Sequence, residues 1–313
     1  YQNPYWAVGT NRNNQKSNRL NGNVQMSWDP LNWLNVTARV GTNTYWSSGK
    51  NWRAAQTYDP DLQPSTGAVS SFVSDSESQS SEIIEDLLLT GTFEFGDFSL
   101  KSILGASNYN YIYRYSRIRA ENLSIPDFYD ISNGTGTPAV TADASQEINF
   151  GFFGDFTLGY GNFIYLNFSG RNDWTSTLAK GNNNYFNPGF GISFVLTDAI
   201  DALKNNNILS YAKLTASNST VYNDLGAYAI NERFSKHDAF PYGEVNGFVL
   251  SSTTVDANIK KEKLNTTEFG ANLGLFKSRV MIDASYFMTT TTDLITYTTP
   301  SVSSGSTSFL TNI

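Results

Sequence analysis

Apolar residues recur along this chain at every second position, not at the helical period, and that spacing marks half-buried β-strands. From Leu34 to Trp46, Leu34, Val36, Ala38, Val40 and Thr42 share one face, while Asn35, Thr37, Arg39, Gly41 and Asn43 share the other. Just upstream, Leu20, Gly22, Val24, Met26 and Trp28 alternate with Arg19, Asn21, Asn23, Gln25 and Ser27. Asp29-Pro30-Leu31-Asn32 between them has turn chemistry, which predicts a hairpin with one apolar and one polar face.

The unit recurs. Leu87, Leu89, Gly91, Phe93 and Phe95 turn at Gly96-Asp97 into Phe98, Leu100, Leu104 and Ala106. Ile148 to Leu158 turns around Tyr160-Gly161-Asn162 into Ile164, Leu166, Phe168 and Gly170. Phe190, Ile192, Phe194 and Leu196 pair with Ala212, Leu214 and Ala216 across a helical turn near Asp198–Asn206. Phe269, Ala271, Leu273 and Leu275 turn at Phe276-Lys277-Ser278 into Val280, Ile282, Ala284 and Tyr286. The count is about ten strands of roughly ten to fourteen residues in five hairpins, the segment length of membrane-crossing strands.

The links differ in kind. Within a hairpin they are mostly short, whereas residues 47–80, 111–145, 174–184 and 218–262 form long links rich in Ser, Thr, Asn, Gly and Tyr. Short turns at one end and long loops at the other characterise bacterial outer-membrane barrels, in which the turns are periplasmic and the loops extracellular. Arg19, Arg39, Lys101, Arg171 and Lys213 all fall on polar faces, and a Lys or Arg facing lipid at mid-bilayer costs about 2–4 kcal/mol. The apolar faces are therefore expected to meet lipid and the polar faces a wet lumen. Trp28 and Trp33 flank the first turn, where an interfacial aromatic girdle belongs. The fold class expected is all-β, an antiparallel transmembrane β-barrel.

Composition narrows the function. There are no cysteines, which removes disulfides, thiolate metal sites and Cys nucleophiles. A net charge of −7 and a pI near 4.8 argue against a nucleic-acid partner. Aromatics reach 14% while charged residues are 16%, and no segment approaches the roughly 18 apolar residues of a spanning helix. The chain starts at Tyr1 and stops at Ile313 without a leader or closing element, and both ends read as cuts.

Several segments resemble the SusC/RagA type of TonB-dependent receptor. They include Gln2-Asn3-Pro4-Tyr5-Trp6, the strand from Trp33 to Gly41, and Tyr165–Trp174 with Gly170-Arg171-Asn172-Asp173. Tyr185-Phe186-Asn187-Pro188, Ala212–Ser217, Glu262–Gly270, Tyr286–Leu294 and Ser303–Asn312 follow in the family's order. Thr215 replaces the usual Arg, and Ser217-Asn218-Ser219 blurs the usual Gly-Asn, which bears on subfamily and substrate. The resemblance implies a barrel of about 22 strands around a plug, of which residues 1–313 form a partial barrel domain at roughly strands seven to sixteen. Plug, N-terminal extension, TonB-contacting segment and remaining strands lie outside this chain. It also implies active import of a large nutrient, an oligosaccharide or peptide, with TonB and a SusD-like surface lipoprotein as partners, in the lipids of the bacterial outer membrane. A passive porin-like channel and a surface receptor or adhesin are the rival readings.

No catalytic, cofactor or metal site is assigned. His237, the single histidine, lies in the polar stretch Phe234–Asp238 and reads as solvated; Asp75, Glu77, Glu82 and Glu85 read as an acidic loop without Ca²⁺-loop spacing. Tyr109, Tyr111 and Tyr113, with Tyr115 beyond, share the lumen face if the register from Phe98 holds. They suit stacking on a ligand, or a girdle and loop packing. Arg171 and Asp173 point the same way near a strand's outer end and suit a contact with plug, loop or ligand.

Overall fold

The structure, a computed structural model, describes residues 4–55, 69–203, 206–237 and 247–313. Gln2, Asn3 and Asp238 of the sequence motifs, and the middles of the links 47–80 and 218–262, lie outside the described residues. After a short helix, α1 (Pro4–Thr10), come β1 (Arg12–Leu31), β2 (Leu34–Arg53), β3 (Phe72–Phe95), β4 (Phe98–Glu121) and β5 (Ala139–Tyr160). Next are β6 (Ile164–Thr175), β7 (Asn184–Val195), α2 (Leu196–Ala199) and β8 (Leu209–Asn223). Three short strands follow, β9 (Phe234–His237), β10 (Gly247–Leu250) and β11 (Thr253–Val255). The chain continues through β12 (Glu262–Leu275), β13 (Val280–Thr292), β14 (Ile295–Thr298) and β15 (Ser308–Asn312).

Ten strands form the expected antiparallel sheet, in the order β1-β2-β3-β4-β5-β6-β7-β8-β12-β13. Each sequential strand lies beside the last, as hairpin chemistry dictates. The predicted registers hold where pairing is fixed. Phe269, Ala271, Leu273 and Leu275 face Tyr286, Ala284, Ile282 and Val280, and Phe156, Leu158 face Phe168, Leu166. Phe194 meets Leu214 and Ile192 meets Ala216.

Strand length departs from expectation. β1 and β2 have 20 residues, β3 and β4 have 24 and β5 has 22. Residues 47–53, 72–80, 111–121 and 139–145, expected as loop, continue the strands. The first turn is Asn32-Trp33, since β1 runs on through Asp29-Pro30-Leu31. The acidic stretch Asp75–Glu85 is likewise strand, with Glu82 accepting from Asn43 at 3.1 Å. His237 ends β9, pairing with Gly247 of β10.

Contacts divide the chain into two compact units. One takes Tyr1–Val24, Gly41–Ile84 and Asn110–Gln146. Its strands carry polar residues on both faces, tied across by Gln15 to Ser47 at 2.8 Å, Thr44 with Ser81 at 3.1 Å and Gln146 to Asn110 at 3.0 Å.

The second unit takes Gln25–Val40, Glu85–Tyr109 and Glu147–Ile313. Its turns use left-handed backbone at Gly96, at Gly161-Asn162 and at Phe276-Lys277-Ser278. At the opposite ends of β6–β8 the links fold upon themselves around buried Leu178, Ile259 and Leu310, with Leu225, Ile230, Val255 and Ile295 packed against them. β15 enters this cluster between β14 and β11, antiparallel to the first and parallel to the second.

Asp256 holds the last strand in place. Its N–H donates to the Leu310 carbonyl at 2.9 Å, and its carboxylate accepts from the Asn258 N–H and the Thr311 hydroxyl. Those two donors, the Asn258 amide first, hold the carboxyl below its usual range. A lowered folded pKa means the stabilisation is complete above the unfolded value and is lost as pH falls through the folded one. Hydrogen-exchange protection of the Asp256 amide is expected to drop on acidification below the carboxylate range in the native protein, and to be low at every pH in Asp256→Ala. Matching pH profiles for the two would remove this role.

Candidate functional site

The polar face of the second unit gathers charge where β5–β8 end. Pairing places Phe153 opposite Arg171 and Gly151 opposite Asp173, and across the next ladder Arg171 meets Asn187 and Asp173 meets Tyr185. Alternation then sets Glu147, Asn149, Arg171, Asp173, Tyr185 and Asn187 on one face. With Tyr109, Tyr222, Asp224 and Lys261 they line a cavity of about 440 Å³.

Arg171 is held between a carboxylate and a ring. Its Nε donates to Asp173 Oδ1 at 2.6 Å, and Asn187 donates to Asp173 Oδ2 at 2.9 Å. The guanidinium carbon stands 5.4 Å from the centre of the Phe153 ring, a cation–π distance. Two glycines make the room. A Cβ on Gly151 would collide with Arg171 and Asp173, and one on Gly105 would collide with the Phe153 ring. The bond to Asp173 uses Nε, so the terminal nitrogens keep their donors for another acceptor. Asn149 donates to Glu147 Oε1 at 2.8 Å, while its own Oδ1 is buried without a hydrogen-bond partner.

A second, drier pair closes the cavity. Lys261 Nζ is 3.0 Å from Asp224 Oδ2, with the side chains only 9% and 19% exposed. Thr177 donates to Asp224 Oδ1 at 2.6 Å and the Leu225 N–H at 2.8 Å. The ammonium lies 4.8 Å from the Tyr185 ring centre, and the Tyr185 hydroxyl accepts from the Lys261 N–H at 3.0 Å. The Tyr185 and Tyr222 rings pack at 5.0 Å.

Of the five residues singled out in the sequence, Tyr109, Arg171 and Asp173 come together here. Tyr111 and Tyr113 belong to the other unit, where both are half-buried. Sequence reasoning missed Asp224 and Lys261, which sit in a long polar link where nothing local sets them apart. The arrangement brings donors, acceptors and ring faces to one cavity, chemistry that suits a polar ligand.

The opposite face fixes the surroundings. Phe152, Phe156, Phe168, Phe190, Phe269 and Tyr286 stand exposed along it, a continuous apolar surface that water would not tolerate. Ile164 to Trp174 on β6, at about 3.4 Å per residue and a tilt near 40°, covers about 26 Å, the height of an outer-membrane apolar band. Aromatic clusters mark its limits, Phe150, Phe152 and Trp174 at one end and Phe95, Phe98 and Tyr160 at the other. Among the described residues no helix is long and apolar enough to cross a membrane. This is the wall of an outer-membrane β-barrel, lipid on one side and lumen on the other.

A family model described as TonB-dependent receptor-like, β-barrel, matches residues 1–313, and the chain belongs to that family. It is 26% identical over 213 residues to TonB-dependent receptor P3 of Formosa agariphila, an alignment covering 66% of this chain and 21% of that protein. Its fold superposes on a chain of the RagAB peptide transporter with a TM-score of 0.87 at 18% identity, over 99% of this chain and 34% of the other. The siderophore receptor PiuA of Acinetobacter baumannii follows at a TM-score of 0.53 and 15% identity, over 88% of this chain and 40% of that one. The chain thus spans about a fifth to a third of the first two.

Proposed function

We propose that this chain is part of the barrel wall of a TonB-dependent importer of the SusC type. It would carry an oligosaccharide or peptide across the outer membrane beneath a SusD-like surface lipoprotein. The observation that carries the reading is the superposition of nearly the whole chain on a transporter whose cargo is peptide. The lumen cavity adds to it, since paired charges, amides and tyrosine rings suit a hydrogen-bonding polymer better than an apolar solute. Tyr109, Tyr111, Tyr113, Arg171 and Asp173 are the residues proposed to touch that cargo.

The test is uptake of labelled oligosaccharides and peptides by cells carrying the full-length gene with the neighbouring lipoprotein gene, with and without functional TonB. TonB-dependent uptake of either polymer is expected. Uptake that persists without TonB would establish the passive channel instead, and surface binding without uptake the receptor. Within the importer, Tyr109→Ala with Arg171→Ala is expected to weaken cargo affinity by about 1–3 kcal/mol, the worth of one stacked ring, while heat-modifiable mobility stays that of a folded barrel. Unchanged affinity would return these side chains to a structural role.

A further inference from the structure

The lumen cavity carries an unequal charge. Among the described residues that line it, the carboxylates of Glu147, Asp173 and Asp224 meet only two cations, Arg171 and Lys261. Arg171 pairs with Asp173 and Lys261 with Asp224, whereas Glu147 makes no ion pair among the described residues. Glu147 is half-buried, and Asn149 donates to its Oε1, which fixes the carboxylate and leaves Oε2 to another donor. Elsewhere in the cavity the chain shows what it sets against such a group. The Lys261 ammonium stands 3.0 Å from the Asp224 carboxylate and 4.8 Å from the Tyr185 ring centre. Glu147 on β5 and Tyr109 on the neighbouring strand β4 bring a carboxylate and a tyrosine to the same cavity again.

A neutral sugar hydroxyl would leave that imbalance as it is, whereas an ammonium removes it. The neighbouring groups decide which ammonium. A terminal nitrogen of Arg171 comes within 2.8 Å of where a Cβ on Gly151 would stand, and Gly151 is four residues along β5 from Glu147, about 13 Å by backbone. The Glu147 carboxylate folds back onto Asn149, midway between them, so an extended peptide covers the remaining gap in about three residues. The first residues of a peptide supply, in that order, an ammonium and then main-chain carbonyls, which are acceptors for the Arg171 donors. A lysine side chain would instead place methylenes where those carbonyls are needed. We propose that this cavity seats the amino terminus of a peptide cargo, with its ammonium on Glu147 and a main-chain carbonyl on Arg171. The assignment rests on the importer reading and narrows it to peptides with an unblocked amine.

The purified full-length protein would be offered, at equal concentrations, a peptide free of lysine and arginine with its amino terminus unblocked, acetylated or succinylated. An acetylated peptide with an internal lysine and a glucosamine oligomer complete the set, and mass spectrometry reads what is retained. The native protein is expected to hold the unblocked peptide about tenfold better than the acetylated one, the effect of one charge-assisted hydrogen bond. Glu147→Gln should hold both alike, and Glu147→Lys should turn the preference to the succinylated form, each with the heat-modifiable mobility of a folded barrel. Equal retention of unblocked and acetylated peptide by the native protein, or an unchanged preference in Glu147→Gln, would overturn the subsite and leave the importer reading standing. Retention of the internal-lysine peptide or the glucosamine oligomer as strongly as the unblocked peptide would overturn the amino-terminal assignment, giving the cavity to any primary ammonium. Retention of no peptide would overturn the subsite together with the importer reading, which TonB-dependent uptake tests by itself.

Discussion

Phe168→Arg is expected to cost the folded barrel about 2–4 kcal/mol, whereas Ser169→Arg, one residue on, should cost close to nothing. Phe168 lies near the middle of β6, between Phe156 on one neighbour and Phe190 on the other, its ring 5.2 Å from that of Phe190. A guanidinium there would sit in hydrocarbon with no water and no counter-charge. Ser169 follows on the lumen face, exposed and opposite Asp155 and Gly189, where a long charged side chain reaches water. The measurement is the denaturant midpoint of full-length protein folded into phospholipid vesicles, with heat-modifiable mobility reporting closure. Equal midpoints for the two variants would show that the faces are not lipid and lumen, and a reversed order would show the register shifted by one residue.

That contrast rests on what was legible in the sequence. Period-two alternation marks a strand only where its two sides meet different solvents, and in this chain it was readable wherever lipid faces lumen. The pairing of Phe269 with Tyr286 and the turns at Gly96-Asp97 and Phe276-Lys277-Ser278 followed from it. Beyond the apolar band both faces are polar, so a run such as Ser74-Asp75-Ser76-Glu77-Ser78 carries no alternation. The ladder nevertheless continues and gives β3 and β4 their 24 residues. The first turn was displaced for a related reason. Pro30 and Asp29 have turn chemistry, yet Pro is tolerated near a strand end and Asp29 accepts from Asn35 across the hairpin at 2.7 Å. Arg171 and Asp173 were found because alternation placed them on the polar face of a strand whose apolar face was plain. Leu178, Ile259 and Leu310 were not, being single apolar residues scattered through polar links, whose meeting depends on long-range folding.

The link cluster therefore supplies the other large effect. Lys261→Met is expected to destabilise it by about 3–5 kcal/mol, the cost of stranding one charge of a buried pair. The Asp224 carboxylate would remain fixed by the Thr177 hydroxyl and the Leu225 N–H, in a site with little access to water, and its counter-charge would be gone. Thr175 and Thr177 are buried with their hydroxyls 2.8 Å apart, so the surroundings cannot easily open to hydrate it. Leu178 adjoins Thr177 and Ile259 nearly adjoins Lys261, so loosening the pair loosens the small apolar core that holds the links over the cavity. The β6–β8 and β12 ladders do not depend on this pair, and the barrel itself should keep its heat-modifiable mobility. Hydrogen exchange at Leu225, Ile230 and Ile259 reads the effect, with protection falling in Lys261→Met. The double variant Asp224→Leu, Lys261→Met should recover much of it, because replacing both partners leaves no charge behind. Native protection in the single variant, or a double variant as labile as the single, would show that apolar packing alone holds these links, with cargo affinity then insensitive to Lys261.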